Sequence, residues 1–245
     1  MSSIRFSIVL FSAITLTVAA QDQQQPVAKT PGSNELRRFS IGGLLSFNIF
    51  SYMQATTREN TISDTTTFKS TSENLSSRAT IGPILQMTFA SRWAVAAGIS
   101  YRKGGYRLTN DTTVSSKVST VKERTDFRSW EVPILVRRFS KAHDDEGFRW
   151  FYQAGVAARF INRISSETST TAQDGTVTCC DTKASVPRQS NILGFVAGAG
   201  ITARDQFGIR VTPEIRYTRW MDRNWDSFTA RSRRDQAEIA IGFQF

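Results

Sequence analysis

Few side chains in this sequence have a type and spacing that could support chemistry. The sole histidine, His143, stands in the run Lys141-Ala142-His143-Asp144-Asp145-Glu146. A zinc-type centre could draw on this imidazole and the three carboxylates. One His on a polar turn fixes neither ligand number nor geometry, however, so the segment reads as a solvated turn. Cys179 and Cys180 are the two cysteines of the chain, and they are adjacent. Catalytic use of a thiolate needs a neighbouring group that lowers its pKa, and no His lies near them. A vicinal disulfide, an intermolecular bridge and two free thiols all stay open. The first would be strained, since adjacent Cα atoms are only about 3.8 Å apart. A local role in a loop fits best. No catalytic, metal-binding or cofactor-binding residue is expected, and the protein reads as a non-enzyme.

What remains is charge: 31 Lys and Arg against 21 Asp and Glu, a net +10. Its meaning depends on the elements that carry it. The run 234–245 sets Ala237, Ile239, Ile241, Phe243 and Phe245 against Arg234, Gln236, Glu238 and Gln244. A strand has a side-chain period of two, so one face is made for an oily surface and the other for a polar one. Seven further runs obey the same grammar, at 39–49, 79–89, 93–102, 130–137, 150–160, 193–202 and 207–218. Eight is even, and it is the smallest usual count for a closed membrane barrel. Pro83, Pro133 and Pro213 fall inside these runs. Each removes a ladder donor, and bulges are expected to absorb them.

The connections, at 51–77, 90–92, 103–124, 140–147, 162–189, 204–206 and 221–233, alternate long and short. An up-and-down barrel with short periplasmic turns and long outer loops requires this alternation. The long ones are rich in Ser, Thr, Asn and Asp, and read as solvated loops. Aromatics divide between the ends. Phe39, Phe89, Trp93, Phe139, Phe148, Trp150, Phe207, Phe243 and Phe245 fall at the inner ends, and Tyr101, Trp130, Phe160 and Trp220 at the outer. Two girdles at head-group level are expected.

Before the first strand, Arg5 precedes an apolar run from Phe6 that ends in Ala19-Ala20, ahead of a Gln-rich stretch. This is the order of a secretory signal, and the run is too short to span a membrane. We therefore read 1–20 as a signal peptide, 21–37 as a disordered leader and 38–245 as the barrel. Export argues against nucleic acid as the anionic partner. Outer-membrane lipid and lipopolysaccharide, polysaccharide, or a surface or envelope protein take its place.

Strand parity sorts the charges. Arg102, Glu131, Arg137, Arg159, Arg210, Glu214, Arg216 and Glu238 face the lumen, together with Arg78. An eight-stranded interior is just wide enough for side chains to fill. A structural ion-pair interior is therefore expected, with Glu131 paired to Arg159 and Glu238 to Arg216; a narrow anion-favouring pore is the alternative. A second basic group, Arg107, Arg124, Arg128, Arg163, Arg219, Arg223, Arg231, Arg233 and Arg234, crowds the outer strand ends as a rim. This rim either docks lipid phosphates or pairs with local carboxylates such as Asp126, Asp222 and Asp226.

The segments Trp130-Glu131-Val132-Pro133-Ile134-Leu135-Val136, Tyr152-Gln153-Ala154-Gly155, Ala197-Gly198-Ala199-Gly200 and Ile239-Ala240-Ile241-Gly242-Phe243-Gln244-Phe245 resemble the outer membrane protein beta-barrel domain family that includes PorT-like proteins. In that family an E-[IV]-P-L-L type strand is typical, matched here by Glu131, Val132, Pro133, Ile134 and Leu135, and the terminal Phe resembles the closing strand of bacterial outer-membrane barrels. The resemblance spans roughly 38–245. It implies an all-β, eight-stranded antiparallel up-and-down transmembrane barrel of the small OmpA/OmpX-like kind in the outer membrane of a Gram-negative cell. The expected form is a monomer with a structural or surface-interaction role through its long loops. A soluble lipocalin-like binder remains a second alternative, in which the apolar faces would point inward.

Overall fold

The computed structural model describes residues 39–142, 148–181, 186–204 and 209–245. The proposed signal and leader, the His143 turn, Phe207, and the side chains of Cys180 and Asp181 lie outside the described residues.

The elements are all strands: β1 (Phe39–Asn48), β2 (Thr56–Ser63), β3 (Thr66–Asn74), β4 (Ala79–Ala90), β5 (Trp93–Gly98), β6 (Ser100–Val114), β7 (Lys117–Phe139), β8 (Arg149–Thr171), β9 (Val177–Asp181), β10 (Asn191–Arg204), β11 (Arg210–Trp220) and β12 (Asp235–Gln244). β1 pairs with β4 on one side and with β12 on the other, so the sheet closes on itself. The circuit runs β1, β4, β5 with β6, β7, β8, β10, β11, β12 and back to β1, every neighbour antiparallel. Because β5 and β6 together form one barrel strand, the barrel has eight.

The break between β5 and β6 has a local cause. Ile99 donates its N–H to the Pro83 carbonyl at 3.1 Å, but Pro83 has no N–H to return. On the other side, pairing with β7 stops at Ala97↔Ile134 and resumes at Ser100↔Glu131, around Pro133. Two prolines thus flank one gap. The register is the same before and after it, so the strand simply loses ladder bonds there. The bulges expected at the prolines do not form. Pro213 likewise interrupts pairing with β10 between Gly200↔Glu214 and Ala203↔Val211 without shifting it.

Side-chain parity is strict. Leu193, Phe195, Ile215, Ile239, Ile241 and Phe243 are exposed on the outer surface, whereas Arg137, Arg159, Arg216 and Glu214 are buried within. This is the opposite of a soluble lipocalin-like barrel. Three inner and outer assignments need correction. Phe139 and Trp220 are not girdle residues but point inward, 6% and 1% exposed. Arg78 is exposed rather than buried among the lumen charges; it stands at the end of the β1–β4 ladder, just before the first paired residue of β4, Ala79.

The long connections are also not simple loops. β7 and β8 are each 23 residues long, more than twice the roughly 10 that cross a bilayer. Above the barrel they continue as a sheet in the order β2-β3-β6-β7-β8-β9. The apolar alternation that betrays a strand needs one oily face. Strands with polar residues on both faces, rich in β-favouring Thr, carry no such signal.

At the outer mouth, Tyr52, Met53, Tyr106, Leu108, Phe127, Ile161, Trp225 and Ala230 form an apolar lid. Phe127 and Trp225 pack with ring centroids 4.4 Å apart, and Tyr52 lies against both. Tyr52 donates from its hydroxyl to Asn224 Oδ1 at 2.7 Å, and Asn224 donates to the Gln189 carbonyl at 2.8 Å, tying three connections together. Gly104 leaves the room for Phe127: a Cβ there would lie 2.0 Å from Phe127 Cε2. Overpacking of this kind costs about 1–3 kcal/mol. Gly104→Ala should therefore lower stability by about that amount in urea unfolding of the lipid-reconstituted protein. Gly43→Ala, where an added Cβ meets nothing within 4 Å, should leave it unchanged.

Candidate functional site: the ionic lumen and the basic rim

Strand alternation delivers the inward residues at four levels. Uppermost, Glu131 Oε1 accepts from Arg102 Nη2 at 2.8 Å and from Arg159 Nη2 and Nε at 2.9 and 3.1 Å. Its Oε2 accepts from Gln236 Nε2 at 3.1 Å, and Gln236 Oε1 accepts in turn from Arg159 and Trp220. The Arg159 guanidinium lies 3.8 Å from the Trp220 ring centroid and 4.8 Å from that of Tyr52. Arg102 covers Tyr52 at 4.9 Å. Cation–π contacts therefore join the ionic layer to the aromatic lid.

In the middle, Glu238 accepts from Ser46 at 3.0 Å and lies 3.7 Å from Arg216 Nη1. This pair is loose because the other terminal nitrogen of Arg216 is held by Glu214. Below it, Glu214 Oε2 accepts from Arg137 Nη2 at 2.8 Å and Gln153 Nε2 at 2.9 Å. Arg137 also donates to Gln153 Oε1 and Gln86 Oε1, at 3.0 and 2.9 Å. Lowest, Arg210 reaches only Ser40 among the described residues, at 3.5 Å. Its Nε and both polar side-chain atoms of Gln244 are buried without a partner.

The sequence suggests the pairs Glu131–Arg159 and Glu238–Arg216 and no partner for Glu214; in the structure Glu131 is shared by Arg102 and Arg159, and Glu214 by Arg137 and Arg216. The sequence reading also missed Tyr52, Gln86, Gln153, Trp220 and Gln236 as partners. The signal for four of them was parity, since 86, 153, 220 and 236 continue inward series already identified. Tyr52 lies beyond the end of β1, where parity has no force.

A cavity of about 10 Å³ among the described residues lies beside Glu131, Arg216 and Glu238, the room of one water molecule. Among the described residues no group of His, Cys, Asp and Glu could hold a metal ion. Cys179 is disulfide-bonded.

The rim divides into clamped and unclamped cations. Arg188, Arg223 and Arg231 converge on Asp226 at 3.1, 3.3 and 2.8 Å. Arg124 pairs with Asp126 at 2.9 Å, Arg107 with Glu73 at 3.6 Å, and Arg219 with Asp235. Arg234 donates to the Met221 carbonyl. Arg128, Arg163 and Arg233 are exposed and make no ion pair with a described carboxylate. Desolvation pushes the Asp226 carboxyl up, but its hydrogen bond to Arg231 and the charges of Arg231 and Arg223 outweigh this and hold it below the usual carboxylate range.

A closed antiparallel barrel with an apolar belt outside and an ionic interior defines a transmembrane β-barrel protein. The sequence profile of the family described as "Outer membrane protein beta-barrel domain" matches residues 19–219, and the chain belongs to that family. It is an outer-membrane protein. No curated protein matches the sequence. Among solved structures, it is similar to the outer membrane protein OprG from Pseudomonas aeruginosa, at 12% identity and a TM-score of 0.44, covering 84% of this chain and 93% of that one. It is also similar to Ail, the attachment invasion locus protein of Yersinia pestis, in a complex with the heparin analogue sucrose octasulfate. There the identity is 10% and the TM-score 0.34, covering 84% of this chain and 96% of that one.

Two outcomes follow from this geometry. Removing one partner of a buried pair leaves the other charge uncompensated, at about 3–5 kcal/mol. Glu131→Ala should therefore destabilise the folded barrel by about that amount in chemical unfolding, since two buried arginines lose their acceptor. The Asp226 clamp has a depressed carboxyl pKa, so its stabilisation is complete above the unfolded value of about 4 and is lost as pH falls through the lower folded value. Amide exchange in residues 222–233 should accelerate on acidification below pH 4. Asp226→Asn should exchange fast at neutral pH as well.

Proposed function

We propose that this protein is a sealed barrel that holds a rigid β-platform above the outer membrane, and that the platform is its working part. The carrying observation is the lumen, where arginine and glutamate side chains bond across every level but the lowest, with a cavity of about 10 Å³ beside Glu131. A hydrated ion needs a continuous path, and an interior packed in this way supports a plug rather than a channel. The outer sheet supports the interaction role. β7 extends past Trp130 to Lys117, about 40 Å of strand, braced on both sides by hairpin partners. Partners of the expected kinds are outer-membrane lipid with phosphorylated head groups and a surface or envelope protein. The role we propose is non-catalytic, for a monomer. Residues 1–20 serve as the export signal and 21–37 as a leader in this reading.

The alternative is the narrow anion-favouring pore, supported by the excess of arginine over glutamate inside. Planar-bilayer recording separates the two. Purified protein should give no large, stable conductance. Reproducible anion-selective channels abolished by Arg102→Gln or Arg159→Gln would overturn the sealed-barrel reading in favour of the pore.

A further inference from the structure

The outward face of β6, β7 and β8 changes character within one pleat. Ile81, Tyr101, Trp130 and Phe160 form a cross-strand row, through the pairs Ile81↔Tyr101, Tyr101↔Trp130 and Trp130↔Phe160. The Tyr101 and Trp130 ring centroids are 4.9 Å apart. From Trp150 to Phe160 the outward residues of β8, at the usual strand rise and a tilt of about 40°, cover about 25 Å, the height of a barrel's apolar band. The row at Trp130 is therefore the upper edge of the lipid-facing belt, where acyl chains give way to head groups.

Two residues further along each strand, about 7 Å, Lys103 lies directly opposite Arg128, and Arg128 opposite Asn162. Both cations are exposed. Like charges facing each other across a ladder are destabilising. A comparison within the same sheet shows how that repulsion is usually relieved: Arg107 also faces Arg124, but each has its own carboxylate, Glu73 at 3.6 Å and Asp126 at 2.9 Å. Lys103 and Arg128 pair with no described carboxylate. The nearest outward acid along β7, Asp126, is already held by Arg124.

The partner strand adds a third cation at this level. The β7–β8 register shifts between Asp126 and Arg128, and Arg163, beside Asn162, has φ 50°. Continuing from the buried Ile161, regular alternation would turn Arg163 inward; across the bulge it is exposed instead. Bulges re-aim side chains, and a left-handed non-glycine residue is costly unless it is held for a purpose.

We propose that Lys103 and Arg128, with Arg163 beside them, bind the phosphate of a phosphorylated glycolipid in the outer leaflet, whose acyl chains lie on the Ile81, Tyr101, Trp130 and Phe160 row. A phosphate bridging the two cations converts their repulsion into two charge-assisted interactions, and the guanidinium of Arg128 offers a two-point fit to its oxygens. The adjoining apolar row assigns the phosphate to a lipid rather than to a free anion. This inference rests on the surface-interaction reading and narrows the basic rim to three residues. The Asp226-clamped arginines brace a loop and take no part.

The experiment uses the full-length protein reconstituted in nanodiscs containing lipid A, lipid A stripped of its phosphates, or phosphate-free lipid with added inorganic phosphate. Wild type should melt several degrees higher in the phosphorylated lipid than in the stripped lipid, and should retain lipid A through detergent extraction as read by mass spectrometry. Lys103→Gln with Arg128→Gln should lose most of that difference and retain at least tenfold less lipid. Arg223→Gln with Arg231→Gln should behave as wild type, and so should Lys103→Arg with Arg128→Lys. Heat-modifiable migration on a gel verifies that each variant is folded. Unchanged retention in the folded double Gln variant overturns the site, and stabilisation by inorganic phosphate equal to that by lipid A overturns the lipid source. Conductance is a separate readout, so failure here and failure of the sealed-barrel reading are distinguishable.

Discussion

A backbone that crosses lipid has no water to satisfy its N–H and C=O groups, so every one must find a partner within the sheet. The pairing of β1 with β12 meets that demand by abolishing the sheet edges, and the other features of the structure follow from it. Closure at eight strands leaves an interior just wide enough for side chains to fill. The alternation that puts isoleucine and phenylalanine on the lipid sends arginine, glutamate and glutamine inside, where they must satisfy one another. Ion pairs here are a consequence of parity and closure, and their stabilising value lies mainly in what is lost when one member is removed.

The same constraint explains how the prolines are tolerated. Pro83 and Pro133 flank the single gap at Gly98 and Ile99, so the missing donors are concentrated in one place and the register on either side is unchanged. Above the lipid the constraint lapses and β-structure continues for other reasons. Cross-strand hydrogen bonds such as Ser70 to Asn110 at 2.7 Å and Thr120 to Asp111 at 2.7 Å link polar side chains of neighbouring strands.

The lumen, the lid and the rim form one vertical series. Glu131 gathers Arg102 and Arg159, both guanidiniums lie on Tyr52, and Tyr52 packs on Phe127 and Trp225. Trp225 belongs to the segment that Asp226 clamps through three arginines. The outer connections are thereby anchored to the charged interior.

The sequence by itself determined what depends on period and composition. The two-residue alternation in runs such as 193–202 and 234–245 marked the barrel strands and their faces, and the inward parity of Arg102, Glu131, Arg159 and Glu214 followed directly. The family was legible in short segments such as Trp130–Val136. Only the tertiary structure decided who pairs with whom, because a shared carboxylate depends on side chains converging from several strands: Arg137 and Gln153 meet Glu214 from across the barrel. It also decided the fate of Trp220 and Phe139, whose hydrophobicity suits either face, and which of the rim arginines are already held by carboxylates. It revealed β2, β3 and β9, since a strand with polar residues on both faces has no oily face to write into its sequence.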